Sequence, residues 1–522
     1  MAIKLNKDES LFRNELIFTV DAKAINIDNT LVNLFMLLRH NGIRPRQRAR
    51  AGSKTFIELN NLKEVFSQLE NEGEVSGFSD YPEATELWLR SNLVNMVYRG
   101  KIDKEKISSL RPIHLESYRV RNSPNTRDYN TADQVYLMLG TNPQVKEDLK
   151  SFLMEGWDPI TDKIDIGKVL DVDSLGLLHL IKNIKPGFLD TNSTLNQIRP
   201  LLLEQSKLYC DDVRRLLVYK RLMPRNVLID YLKTVTSFHL SIYSQKVIHL
   251  LPKMVEQGTI DVKDNWNIVI DVTDDFESNI SKIAISDTEY LFNGMYEYIK
   301  CTYMINAALR RLKLDKNNSN NLSRALQALK NKTTEFEIYF ELQWDNLYNS
   351  LINEDKLLVD DIMKYEDTYF NRYIELILKV RGAYNYRFHV QLIDNLSQKN
   401  NDRGFLAQGR SKKHPRRFVL GTRLLETLVQ ILVLKSDGDK FTTQSLSIEE
   451  LMNILKTRYG LIINGLEEER FKNADLITHI AYRENVEAFK QKLRQIGFYN
   501  DLSDAYILQR IRPRYELKSE LK

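Results

Sequence analysis

Asp271, Asp274 and Asp275 stand at the end of the β-branched run WNIVIDV (Trp266–Val272), with Glu277 just beyond. Carboxylates at the end of a strand and ahead of a helix can hold Mg²⁺, and the cation can polarise a phosphodiester and acidify a bound water. The spacing therefore raises a metal-dependent nuclease centred on Asp271. Such a site would draw further acids or a lysine from other strands, and none stands at a recognisable spacing. A plainer use is open to the same residues, because Asp274 or Asp275 can cap the helix that follows.

Other chemistry is not spelled out. The eight histidines, His40, His114, His179, His239, His249, His389, His414 and His479, form no HExxH or other short ligand pair. His239 and His249 are nearly three helical turns apart, too far to share a metal. There is no phosphate-binding GxxxxGK[ST] loop and no GxSxG elbow. Two cysteines, Cys210 and Cys301, exclude a disulfide framework and an all-cysteine zinc site, and their helical contexts suit core packing. No catalytic residue, metal or cofactor is assigned from the residues, and the chain reads as a binder before an enzyme.

Positive charge is gathered in places. Across 522 residues the formal net charge is only +5. Yet Arg39–Lys54 (RHNGIRPRQRARAGSK) has six Lys/Arg and no acid. Gly42, Pro45 and Gly52 mark it as a loop, and Arg44, Arg46, Arg48 and Arg50 could follow a phosphate backbone as an extended arm. Arg410–Arg417 (RSKKHPRR) brings Lys412, Lys413, Arg416 and Arg417 together. Arginine forks dock acidic protein surfaces equally well, and both segments also suit plain solvated loops.

The elements behind these residues are mostly helical. Twenty Gly and twelve Pro are few for this length, which favours long helices. Apolar spacing predicts helices over Thr30–His40, Tyr81–Tyr98, Asp212–Tyr219, Asn226–Leu251, Asp287–Leu312, Leu322–Ile352 and Lys356–Leu396. Strand signals are confined to Trp266–Val272 and, more weakly, Thr55–Leu59. No run of about 18 apolar residues exists, so no membrane span is expected. The N-terminus lacks the shape of a signal peptide, and a cytoplasmic protein with reduced thiols is the expectation.

After the polar, basic stretch Ser397–Arg417 the pattern sharpens. Leu424–Leu434 predicts a first helix. Ser447 and Glu450 form a capping box for a second, Ile448–Tyr459, ended by Gly460. Glu484–Ile496 predicts a third, ended by Gly497. The following segment can form a strand with Tyr506, Leu508, Arg510, Arg512 and Arg514 on one parity. Three helices and then a strand is the order of a winged helix, whose third helix and wing can meet duplex DNA. Lys490, Lys492 and Arg494 on that helix, with Arg510, Arg512 and Arg514 on the wing, would neutralise phosphates. Winged helices also serve as dimerisation and docking modules.

Arg417–Glu426 (RFVLGTRLLE), Arg458-Tyr459-Gly460, Gly497–Tyr506 (GFYNDLSDAY) and Pro513-Arg514-Tyr515 resemble the C-terminal region of accessory proteins of bacterial anti-phage defence islands, in particular the methylation-associated defence system. The resemblance implies a bacterial cytoplasmic protein working with products of its operon, such as a DNA methyltransferase and ATPase or nuclease components. It carries no catalytic residues.

The expectation is thus a mainly α, multi-domain helical body with small β elements and a C-terminal winged-helix-like domain. Residues 1–125 would form a mixed α/β region with the basic loop, 126–400 a central helical domain, and 418–522 the winged-helix-like domain. The expected function is a non-catalytic DNA-binding or adaptor subunit of a multi-gene defence complex. Its expected partners are double-stranded DNA and proteins of the same operon, with no membrane. The alternatives are a protein–protein scaffold without DNA contact and the nuclease centred on Asp271.

Overall fold

Long amphipathic runs with little Gly or Pro become helices here, and the computed structural model of the chain is mainly helical. It describes residues 5–47, 58–97, 105–122, 125–158, 160–165, 171–183, 188–196, 198–411, 414–438, 440–499 and 510–517. Among these, the strands are short and pair two by two. No helix among the described residues is long and apolar enough to cross a membrane.

The chain forms two compact units, one of residues 25–197 and 203–236, the other of 1–24, 198–202 and 237–522. In the first, the helix Ile27–Arg39 is capped by Asn26 and buries Leu31, Val32, Leu34 and Phe35 completely. The Tyr81–Tyr98 prediction is half right. Pro82 opens a helix over Pro82–Trp88, a π turn follows at Leu89–Leu93, and Val94–Val97 is a strand paired antiparallel with Lys106–Leu110. A wide turn lets the chain change period, from helix to the β-branched strand, without leaving the core. Leu62, Phe66, Leu89, Leu93, Leu177 and Ile181 pack there. Gly176 allows the approach of Trp88, since a Cβ at this position would stand 2.4 Å from Trp88 Cη2. Trp88 Nε1 donates to Asp173 (2.8 Å).

The basic Arg39–Lys54 segment is not all loop. Ile43–Gln47 is a strand paired antiparallel with Phe188–Thr194, with a bulge between Pro45 and Arg46. Of the Thr55–Leu59 strand prediction, 55–57 lie outside the described residues, and Leu59 instead begins the helix Leu59–Asn71.

In the second unit the helices Asn279–Arg311 and Tyr369–Leu396 pack together, flanked by Asn320–Lys330 and Thr334–Asn349. The predicted Leu322–Ile352 and Lys356–Leu396 helices are each broken. Thr333 and Thr368 cap new helices, accepting from Phe336 N and Asn371 N, so a threonine that reads as helix interior is a boundary. Phe336, Phe340, Phe370 and Tyr373 form the aromatic seam between them.

The same unit contains the C-terminal elements. Thr422–Leu432 is a helix, Leu434–Asp437 and Lys440–Thr443 a hairpin, and Leu446–Ser447 a short strand. Ile448–Tyr459 starts at the expected Ser447/Glu450 capping box and ends at Gly460, which takes φ +73°. Leu476–Gln495 is a turn or more longer than predicted at its start, because Asp475 caps it. Arg510–Ile511 pairs antiparallel with Leu446–Ser447. Of the Trp266–Val272 run, Ile268–Val269 pairs in parallel with Leu461–Ile462, and Asp271 bridges to Val419.

Candidate functional site

That central strand positions the residues singled out for chemistry. Its backbone bonds to both neighbours, Ile270 N to Ile462 O and Asp271 N to Phe418 O (both 2.9 Å). Asn485, fully buried on Leu476–Gln495, fastens it. The amide accepts from Val272 N (2.8 Å) and donates to the carbonyls of Ile270 (2.8 Å) and Ile463 (2.9 Å).

Asp271 is consequently inside the protein. Its Oδ1 accepts from the backbone N (2.8 Å) and hydroxyl (2.6 Å) of Thr273, and its Oδ2 lies 2.8 Å from Arg417 Nε. Burial raises its pKa, opposed by Thr273 and by the Arg417 charge. Asp274 and Asp275 are exposed, and Asp274 takes φ +56°. The cap of Asn279–Arg311 is Ser278, which accepts from Ser281 N, while Asp275 accepts from Glu277 N (3.0 Å) in the turn before it. Among the described residues no three His, Cys, Asp or Glu side chains gather closely enough to hold a metal.

The basic residues are distributed as follows. Arg44 donates to both oxygens of Asp128 (2.8 and 3.2 Å) and to Asp133 (3.0 Å). Burial opposes its charge, but the two aspartates outweigh burial and raise its pKa. Arg46 is in the strand at the bulge. Arg48, Arg50, Lys412 and Lys413 lie outside the described residues. Arg416 grips Asp394 with two bonds (2.7 and 2.9 Å). Arg417 is 4% exposed, with its guanidinium 3.9 Å from the centre of the Phe276 ring.

On the C-terminal helix, Lys490 pairs with Glu487 (2.6 Å). Lys492 is 8% exposed, with Nζ 3.4 Å from Asp274 Oδ2. Arg494 lies beside the Tyr499 ring (5.9 Å). Arg514 pairs with Glu426 and donates to Ile496 O (2.9 Å). Arg510 and Arg512 are exposed. Two sets of residues read separately from the sequence thus meet each other: Asp271 meets Arg417, and Asp274 meets Lys492.

Sequence patterns gave no notice of a groove of about 770 Å³ in the same unit. Arg225–Gln257 lends it Ile248, His249, Pro252 and Lys253; Asn279–Arg311 lends Asp287, Tyr290 and Gly294; Trp266 and Arg470 come from flanking turns. Arg470 is bidentate to Asp287 (2.8 and 3.1 Å), whose Oδ2 also accepts from Val269 N (2.6 Å). Lys253 Nζ donates to Asn265 Oδ1 and to His249 Nε2 (both 2.8 Å). Burial lowers the His249 pKa, and Lys253 adds to the effect. The available signal was a proline and a glycine inside two otherwise strong helical runs.

Both cysteines are buried and free, Cys210 donating to Met138 O (3.3 Å). Burial raises the pKa of each thiol.

A family model described as "Methylation-associated defense system protein MAD7" matches residues 7–515, so the similarity extends far beyond the C-terminal stretch. No curated protein and no solved structure matches the chain.

Proposed function

Because this chain belongs to the family of methylation-associated defense system protein MAD7, we propose that it is a non-catalytic adaptor subunit of a multi-gene anti-phage complex, working in the cytoplasm with other proteins of its operon. The observation that carries the adaptor role is the fate of the cations. Arg44, Arg416, Arg417 and Arg514 are held by Asp128, Asp394, Asp271 and Glu426. A guanidinium fixed in this way braces the fold, and for Arg417 and Arg44 withdrawal to meet a phosphate would strip a buried carboxylate of its arginine. Asp271 is likewise committed to Thr273 and Arg417, which favours a bracing role over nuclease chemistry.

The C-terminal elements fit a winged-helix-like module. The last of the strands between the first and second helices, Leu446–Ser447, pairs antiparallel with Arg510–Ile511, which follows the third, and such a pairing supports a winged-helix-like sheet. In an adaptor this module is a docking element. Co-purification of the full chain with each protein of its operon tests the role. A stoichiometric complex that survives Arg510→Ala/Arg512→Ala supports it, and failure to retain any of them overturns it.

A second reading, contact with duplex DNA, is favoured by Arg510 and Arg512, which are exposed on and beside the wing strand. Gel shifts at rising salt test it. Affinity should fall with a log–log slope of about −0.9 per phosphate neutralised, and the double alanine variant should flatten that slope. Retardation indifferent to salt, or none at low salt, removes the DNA reading and leaves the adaptor role standing.

A further inference from the structure

We propose that the groove between Arg225–Gln257 and Asn279–Arg311 binds a planar, phosphate-free nitrogen heterocycle of nucleoside size. Its volume of about 770 Å³ suits a small ligand, since such sites span roughly 300–1,000 Å³. Three local features point to an occupant that is not part of the chain.

The first is Gly294. It lies inside the 33-residue helix Asn279–Arg311, where glycine is less favourable than alanine. A glycine inside a helix usually makes room for a neighbour, as Gly176 does for Trp88 in the other unit. At Gly294, apart from its chain neighbours and the helix's own backbone, no atom of the described residues lies within 4 Å of where a Cβ would stand. The missing side chain leaves the helix backbone approachable from the groove, and no group among the described residues uses that approach.

The second is Pro252, inside Arg225–Gln257. A proline has no N–H to give the carbonyl four residues earlier. That carbonyl belongs to Ile248, and both residues line the groove. The Ile248 carbonyl therefore lacks its usual helical partner in a segment that lines the groove.

The third is the aromatic surface. Tyr290 is 67% exposed, and its ring centre is 6.0 Å from that of His249. An exposed phenol ring on a rigid helix gives a flat heterocycle a stacking face, and Asn265, Asn267 and Asn293 offer amide donors and acceptors for its edge.

Charge narrows the ligand. The lining has four carboxylates, Asp287, Glu297, Glu468 and Glu469, against the cations Lys253 and Arg470. Arg470 is already bidentate to Asp287, and Lys253 is bonded to Asn265. With four lining carboxylates against two cations, the groove is net negative and disfavours a phosphate, whereas an uncharged or weakly basic ring is accommodated.

Calorimetric titration of the full chain with adenosine, guanosine, cytidine, thymidine and adenosine 5′-monophosphate tests the proposal. At least one nucleoside should saturate one site with a Kd below about 1 mM, and the monophosphate should bind at least about tenfold more weakly than adenosine or not at all. Tyr290→Ala, at an exposed position, should weaken binding about tenfold, which is one stacking interaction. Gly294→Leu should obstruct the groove at the approach to the helix backbone and abolish binding while leaving the thermal midpoint unchanged or higher. Overturning results are no nucleoside binding by that concentration, equal binding of the monophosphate, or nucleoside binding that survives Gly294→Leu. None of these outcomes bears on co-purification with operon proteins, so the two proposals fail separately.

Discussion

Asp271 Oδ2 lies 2.8 Å from Arg417 Nε, and neither residue is more than 4% exposed. An acid at the end of a strand and an arginine from a basic linker are each other's counter-ion in the interior of one unit. Taking one away leaves the other charge buried and uncompensated. Asp271→Ala or Arg417→Ala should each cost about 3–5 kcal/mol, and Asp271→Leu/Arg417→Met should cost much less than the two single changes added together. Urea unfolding of the four proteins checks this; additive losses would mean the pair is not coupled.

Asn485 makes three buried bonds to the strand and its neighbour. Asn485→Leu leaves Val272 N and the carbonyls of Ile270 and Ile463 without that partner. A loss of about 3 kcal/mol or more is expected, because each orphaned buried group costs about 1–3 kcal/mol. Hydrogen exchange at Val272 should accelerate in the variant, and an unchanged rate there would count against the clamp.

Gly176→Ala places a methyl 2.4 Å from Trp88 Cη2 and 2.8 Å from Cζ2. Overpacking of this kind costs about 1–3 kcal/mol. Trp88→Phe should be destabilising alone yet recover part of the loss in the double variant, as read from thermal midpoints.

Each unit contains a fully buried histidine with a depressed pKa. Burial lowers His114 to about 3, with Arg225 adding to it, and burial lowers His389 to about 4 despite its bond to Asn385 O. Both are neutral when folded and take up a proton when unfolded below 6.5. Their contribution is therefore complete above pH 6.5 and lost as pH falls from there towards 4 and 3. Each should remove about 2 kcal/mol between pH 6.5 and 5. Urea midpoints across that interval should drop, and His389→Phe should flatten the dependence by one histidine's share. Equal slopes with and without His389 would refute the assignment.

The elements carried by strong local signals were legible. The Ser447/Glu450 box and Gly460 bound Ile448–Tyr459 in sequence and structure alike, because caps act within a few residues. Thr333 and Thr368 were not legible as boundaries, since apolar spacing continues across them and the break is set by the Phe336–Phe340–Phe370 seam. The charged residues were identified by type but not by partner. Asp271 and Arg417, or Arg44 and Asp128, are far apart in the chain, and residue spacing carries no information about such pairs. The groove was hidden for the same reason, as its walls come from four separated segments.

The parallel pairing of Ile268–Val269 with Leu461–Ile462 also constrains how the protein is made. On the ribosome the 268–271 strand emerges long before either flank, since Phe418 and Ile462 follow much later. At roughly 5–20 residues per second the wait is on the order of ten seconds or more, during which both edges are unsatisfied. Nascent chains halted before residue 417 should be cut by protease around 266–272, and completed chains should resist. A slow finish of this kind makes the segment from 417 onward a quality check on the middle, so that only copies that include it present a fully paired strand to whatever they assemble with.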